Sequence, residues 1–120
     1  MANILIVDDS RTSRKVLRSI LEEAGHTVVG EAVNGENGVE MYDQLKPDIV
    51  TLDITMPVMD GLEALRAIRE KDSNAKVIMV TAAGQNGKIM EAVKRGAAEF
   101  VTKPFDQDQI TVAIGRIVDL

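Results

Sequence analysis

The sequence predicts a doubly wound α/β fold, a five-stranded parallel sheet with helices on both faces, and three observations predict it. Short apolar runs rich in β-branched residues recur down the chain without alternating with polar residues, as in strands covered on both faces. Segments of helical period separate them. Strand and helix signals alternate throughout, so right-handed crossovers connect successive parallel strands.

The first strand is Ile4-Leu5-Ile6-Val7. Val16, Leu17, Ile20, Leu21 and Ala24 then fall on one face of a helix ending near Gly25, opposite Arg14, Lys15, Arg18 and Glu22. Thr27 to Ala32 is a second, more polar strand, and Gly38, Val39, Tyr42 and Leu45 outline a second helix stopped by Pro47. Ile49-Val50-Thr51-Leu52 is the third strand, followed after Asp60-Gly61 by a helix through Leu62, Leu65 and Ile68. Val77-Ile78-Met79-Val80 is the fourth, with Ile89, Ala92 and Val93 on a helix that Gly96 closes. Glu99 to Thr102 is a short fifth strand, and Ile110, Ala113, Ile114 and Ile117 mark a last helix capped by Asp106. The more polar second and fifth strands suit sheet edges, which favours the order 2-1-3-4-5. In that order the winding reverses between strands 1 and 3, and open α/β sheets bind ligands outside the carboxyl ends of the strands at such a switch point.

Composition narrows the chemistry. Of 120 residues, 45% are apolar and 28% charged, enough for a core and a shell, so one domain over residues 1–120 is expected. Lys plus Arg number 14 against 19 Asp plus Glu, a net charge of −5, which argues against nucleic acid or an anionic membrane as partner. Cysteine is absent, which removes disulfides, thiolate metal sites and Cys nucleophiles together. No apolar run approaches the ~18 residues of a membrane span, and Met1-Ala2-Asn3 carries no basic leader, so a cytoplasmic protein is expected. His26 reads as a solvated turn residue without a role, and Arg11, Arg14, Lys15 and Arg18 as a solvated helix face. Met41, Met79 and Met90 read as core filler, whereas Met56 and Met59 suit an adaptable rim after Asp53. Gly87-Lys88 is no phosphate-binding loop, because Ala82 stands where the first glycine of that motif belongs and Ile89 where Ser or Thr should follow.

The strand ends carry the polar groups. Strand 1 runs into Asp8-Asp9, strand 3 into Asp53, strand 4 into Thr81 and strand 5 into Lys103-Pro104. Singly, such acids often cap helices or form turns. Together on one rim, three carboxylates either raise a pKa or hold a cation between them. With hard oxygen ligands and no His or Cys, that cation is Mg²⁺, with Mn²⁺ as the substitute, and Mg²⁺ commonly completes its shell with phosphate oxygens. Lys103 can balance phosphoryl oxygens, Thr81 can donate a hydroxyl hydrogen bond, and Asp53 on the central strand is the candidate nucleophile, because an ionised carboxylate can attack phosphorus without a base.

Four segments, Ile4-Leu5-Ile6-Val7-Asp8-Asp9-Ser10, Asp53-Ile54-Thr55-Met56-Pro57-Val58-Met59-Asp60-Gly61, Thr81-Ala82 and Phe100-Val101-Thr102-Lys103-Pro104-Phe105, resemble the receiver domains of two-component response regulators, in particular the single-domain CheY-like chemotaxis type, over nearly the whole chain. The resemblance implies the same flavodoxin-like (βα)5 sandwich with order 2-1-3-4-5, so the strand order is partly a family expectation. It implies that Asp53 is the phosphoacceptor, that Asp9 ligates the metal directly, Asp8 largely through metal-bound water and Thr55 through its main-chain carbonyl. It further implies that Thr81 and Lys103 contact the phosphoryl group, that Phe100 is an aromatic switch residue, and that the Lys103-Pro104 bond is cis. Cis bonds make up only about 5% of X-Pro bonds, so that last expectation comes from the family alone.

The function implied is a switch phosphorylated by a CheA-like sensor histidine kinase and read by a flagellar motor switch protein or another phosphorylation-sensitive target, with a phosphatase as a further partner. Glu31-Ala32-Val33-Asn34-Gly35, Asp53-Ile54-Thr55-Met56-Pro57 and Gly84-Gln85 carry the resemblance to the chemotaxis type. Because the chain stops at Leu120 just after the last helix, output through another molecule is expected, and the chain is expected to be monomeric and to catalyse only its own phosphorylation and dephosphorylation. A phosphorelay intermediate passing phosphate to a histidine phosphotransferase is the alternative within the family. From another class, a Mg²⁺-dependent aspartyl-phosphate phosphohydrolase would normally carry two acids spaced two apart after its first strand, and here they are adjacent. A flavin carrier needs a hydroxyl-rich phosphate loop and stacking aromatics, which two acids and 2% aromatic content do not supply.

Overall fold

Every apolar run forms a strand in the computed structural model, which describes residues 1–118; the expectation tied to the chain's end at Leu120 lies outside the described residues. The order is β1 (Asn3–Val7), α1 (Arg11–Glu23), β2 (Thr27–Ala32), α2 (Gly35–Leu45), β3 (Ile49–Asp53), α3 (Gly61–Lys71), β4 (Val77–Thr81), α4 (Asn86–Lys94), β5 (Glu99–Thr102) and α5 (Gln107–Val118). The strands form one parallel sheet in the order β2-β1-β3-β4-β5, as the edge polarity and the resemblance both predict. Every residue of β3 and β4 is buried, while β2 and β5 alternate with half-buried or exposed positions.

Side chains alternate across the sheet and divide the core in two. Leu5, Val7, Val50, Leu52, Val77 and Met79 pack under α2, α3 and α4, meeting Val39, Tyr42, Leu65, Ile68 and Ala92. Ile4, Ile6, Ile49, Ile78, Val80 and Val101 face the other way, toward Leu17 and Leu21 of α1 and Ile110, Ala113, Ile114 and Ile117 of α5. The helix starts follow from local capping. Ser10, Asn34 and Asp60 accept from the backbone N–H three residues on, and Asp106 accepts from Asp108 N–H at 2.9 Å as predicted. Gly25 and Gly96 end α1 and α4 in the left-handed region. Tyr42 donates its hydroxyl to Asp72 Oδ2 at 2.9 Å, joining α2 to the end of α3, and burial pushes its phenol up to about 12.

Five expectations are corrected. Val16, Leu45 and Val93 are exposed, because the apolar face of each helix is narrower than its sequence suggests and these positions fall at its margin. Met90 is 65% exposed on the outer side of α4 and fills no core, whereas Met56 is buried in the α2–α3–α4 core instead of forming a rim. Arg14 and Arg18 are not merely solvated, since both bond Glu31 of β2, at 3.1 and 2.6 Å. His26 is half-buried and its Nδ1 accepts from Ala2 N–H at 3.2 Å, which fixes it as a neutral acceptor beside β1; burial lowers its pKa.

Thr51 sits mid-β3 between Ile6 and Ile78 with its hydroxyl buried and unpartnered. Thr51→Val keeps the shape and removes a polar group without a hydrogen bond, so it is expected to stabilise the protein by about 1 kcal/mol, read as a higher urea midpoint at unchanged slope.

Candidate metal and phosphoryl site

The carboxyl ends of β1, β3 and β4 and the turn after β5 converge at the switch point between β1 and β3. Asp53 is the last residue of β3 and is buried, held there because the Ile54 N–H continues the ladder to Val80 O at 3.1 Å. Asp8 follows β1 and is 2% exposed; its N–H donates to Ala32 O at 3.1 Å and its Oδ1 accepts from Ser10 N–H at 2.8 Å, which aims Oδ2 at the sheet end. Asp9 is exposed beside it. Asp8, Asp9 and Asp53 each offer one carboxylate oxygen, and these oxygens all lie within 4.8 Å of one another.

Lys103 reaches the same place from the turn after β5. Its N–H donates to Thr81 O at 2.8 Å, and the Lys103-Pro104 bond is cis, as the resemblance implies. Its Nζ lies 3.0 Å from Asp53 Oδ2 and 3.1 Å from Asp8 Oδ2. Burial works against the Lys103 charge, but the two carboxylates outweigh it and hold its pKa above the ordinary lysine value. Burial pushes the Asp53 carboxyl up to about 6; Lys103 opposes that shift and the neighbouring Asp8 adds to it.

Three carboxylates face one ammonium, and the imbalance is what a divalent cation would relieve. Asp8 Oδ2 tests the fit. It is buried and, although near Lys103 Nζ, makes no hydrogen bond, so a strong acceptor is left over at the centre of the group. A hard oxygen set with such an orphan suits Mg²⁺.

The remaining predicted residues stand around this group. Thr55 lies on the loop after β3, with an exposed side chain whose hydroxyl accepts from Gln85 Nε2 at 2.8 Å. Thr81 ends β4, fully buried, and its hydroxyl donates to Val101 O over a long 3.4 Å without bonding Asp53 or Lys103. Phe100, the neighbour of Val101 in β5, pairs in register with Met79 and is 46% exposed; it borders a cavity of about 150 Å³ lined by Ile89, Ala92 and Val93 of α4. Asp8, Asp9 and Asp53 are therefore brought together, with Lys103 against Asp8 and Asp53, whereas the Thr81 hydroxyl bonds none of these side chains. Sequence reasoning used Gln85 only within the Gly84-Gln85 resemblance and gave it no role at the site.

Comparison with known proteins agrees with this geometry. Residues 4–115 match the response regulator receiver domain family. The chain is 51% identical over 116 residues to the chemotaxis protein CheY of Listeria monocytogenes, covering 97% of this chain and 98% of that one. It is 46% identical over 114 residues to CheY of Thermotoga maritima, covering 95% of each. Among solved structures, the Borrelia burgdorferi CheX–CheY complex with BeF3 and Mg²⁺ matches with a TM-score of 0.92 at 39% identity, over 97% of this chain and 88% of that one. With residues 4–115 matched and relatives similar over nearly their whole length, the chain belongs to the response regulator receiver domain family.

Proposed function

We propose that the chain is a phosphorylation-activated chemotaxis regulator that takes a phosphoryl group on Asp53. The observation that carries the reading is the arrangement of Asp8, Asp9 and Asp53 within 4.8 Å, closed by Lys103 Nζ at 3.0 Å from the Asp53 carboxylate. The chemotaxis assignment is supported by near-full-length relatives named CheY.

In the proposed reaction an Asp53 carboxylate oxygen attacks phosphorus in line, the P–N bond of a kinase phosphohistidine breaks, and the imidazole leaves with the electron pair. Asp8, Asp9, Asp53 and the Thr55 main-chain carbonyl would hold Mg²⁺. When bound, it neutralises charge building on the phosphoryl oxygens. Lys103 carries three N–H donors, and with one on Asp53 another is left for a phosphoryl oxygen. The chain catalyses only its own phosphorylation and dephosphorylation, as a cytoplasmic monomer whose partners are a sensor histidine kinase, a motor switch protein and a phosphatase.

The test is incubation with Mg²⁺ and acetyl phosphate or beryllofluoride, which should give saturable modification or binding at one site, followed by capture of flagellar switch protein with and without beryllofluoride. Phosphorylation without any change in capture would remove the chemotaxis role. Kinase-independent turnover of a small phosphate ester would favour the phosphohydrolase instead.

The same structure suggests how the signal leaves the site. The long Thr81–Val101 bond is weak and easily exchanged for a bond to a phosphoryl oxygen, and the side chains of Thr81 and Phe100 both lie on the α4 side of the sheet. Thr81 moving inward would free Phe100 to turn and alter the surface of α4, β5 and α5. A hundredfold gain in partner affinity needs about 2.7 kcal/mol of coupling. Thr81→Ala is expected to cut that gain to about tenfold or less. A full gain retained in Thr81→Ala, measured by titrating partner onto the beryllofluoride form, would contradict this route.

A further inference from the structure

Asp8 is gripped at three of its four polar atoms. Its N–H donates to Ala32 O of β2 at 3.1 Å, its Oδ1 accepts from Ser10 N–H at 2.8 Å, and its main-chain carbonyl accepts from Arg14 Nη1 at 2.9 Å. The fourth, Oδ2, is the buried acceptor without a hydrogen bond, 3.1 Å from Lys103 Nζ. Arg14 is itself held, since its Nε donates to Glu31 Oε1 of β2 at 3.1 Å and its side chain is 14% exposed. One guanidinium fork therefore spans from β2 to the chain at Asp8, and most of its hydration has been given up to do so. Arg18 shares the same Glu31, donating to Oε2 at 2.6 Å, but its side chain is 41% exposed and among the described residues it bonds only the carboxylates of Glu31 and Glu22.

We propose that Arg14 is a positioning residue for the metal site, a guanidinium that fixes the Asp8 main chain so that Oδ2 stays aimed into the acidic group. The inference rests on the reading of Asp8, Asp9 and Asp53 as the holders of Mg²⁺ and adds to it a residue, remote from the ion, that sets how tightly they hold it. Asp8 stands just past the end of β1 at Val7, where the strand no longer dictates the backbone, and Arg14 supplies its carbonyl with a charged partner. Without that partner the Asp8 peptide is free to turn, and the turn carries the carboxylate with it. Mg²⁺ demands near-octahedral ligands at about 2.0–2.1 Å, so a small displacement of one ligand is felt as lost affinity. The charge of Arg14 is already answered by Glu31, which leaves geometry as the means by which it acts. A purely structural role would be to tie α1 to β2. Arg18 makes that same tie through the same carboxylate without touching Asp8, so the two arginines separate the roles.

The test is calorimetric titration of Mg²⁺ into the purified full chain, with melting in EDTA to confirm that each protein is folded, for the wild type, Arg14→Met, Arg18→Met and Glu31→Ala. Arg14→Met keeps the apolar stem and removes both bonds, and it is expected to weaken magnesium binding about tenfold. Arg18→Met loses its pair with the same Glu31 but should bind magnesium as the wild type does. Glu31→Ala leaves Arg14 without its anchor and should weaken binding about threefold. Added to Arg14→Met it should weaken binding no further, because both act through one contact. Glu31→Ala also carries the test should Arg14→Met fail to fold. Wild-type magnesium affinity in a folded Arg14→Met or in Glu31→Ala, or an equal loss in Arg18→Met, would overturn the positioning role and leave Arg14 as a tie between α1 and β2. A wild-type chain that takes up no magnesium would overturn the metal reading itself before any variant is compared.

Discussion

Asp53→Asn is expected to end phosphoryl uptake outright while making the metal-free protein more stable. The amide is nearly the same size and can still accept from Lys103, but it has no anionic oxygen to attack phosphorus. Its effect on stability follows from proton linkage. Burial raises the Asp53 pKa from an ordinary 3.8 to about 6, so the folded state prefers the protonated acid more than the unfolded chain does. The stability that this preference contributes is complete below the unfolded pKa and is lost as pH rises through the folded one. In EDTA the wild type should therefore weaken from pH 4 to above pH 6 relative to Asp53→Asn, which has nothing to ionise there. The gain in the variant at pH 8 should be up to about 3 kcal/mol, the full shift with the opposing effect of Lys103 already in it. Urea denaturation at the two pH values measures the difference. Mg²⁺ should narrow it, since the ion stabilises the native wild type it binds. An Asp53→Asn chain less stable than the wild type at pH 8 would mean that Lys103 pairing outweighs burial and carboxylate repulsion at this site.

The sheet was legible because its central strands are unbroken apolar runs. Ile4 to Val7, Ile49 to Leu52 and Val77 to Val80 have no polar face to leave in water, which only burial on both sides explains. The rim was legible for a related reason, since each run ends abruptly in a polar side chain, Asp8, Asp53 or Thr81. Helix faces were read less well. Periodicity says which residues share a side but not how wide the covered stripe is, and Val16, Met90 and Val93 sit just beyond it. Met56 could not be placed because the loop after Asp53 has no period at all; its burial depends on how that loop folds back on α3. Gln85 escaped for a similar reason, as its partners Ala82 and Thr55 meet only once β3 and β4 lie side by side. The family resemblance reached one feature that residue-level reasoning did not, the cis Lys103-Pro104 bond.

Gly61→Ala is expected to be a severely damaging small substitution. Gly61 opens α3 after the Asp60 cap, and a glycine there reads as ordinary turn chemistry. The structure gives a sharper reason. Gly61 N–H donates to Ile54 O at 2.7 Å, folding the loop back until a Cβ at Gly61 would clash with the Asp53 carbonyl oxygen and lie 2.7 Å from Ile54 Cα. Those atoms are backbone and cannot swing aside as the end of a side chain can, so β3 or α3 must move. Such overpacking costs about 3 kcal/mol. For a domain of this size that lowers the melting temperature on the order of 10 °C. Gly87 supplies the control. A Cβ there meets nothing within 4 Å, in the first turn of α4, so Gly87→Ala should be neutral or stabilise by up to about 1 kcal/mol. Because the atoms that must yield belong to Asp53 and Ile54, any folded Gly61→Ala protein should also bind magnesium more weakly, whereas a destabilised variant with an intact site would bind it as the wild type does. Thermal melts with and without Mg²⁺ separate the two outcomes. A wild-type melting temperature for Gly61→Ala would show that the backbones of β3 and α3 can part without cost, and that the acidic group does not depend on this close approach for its shape.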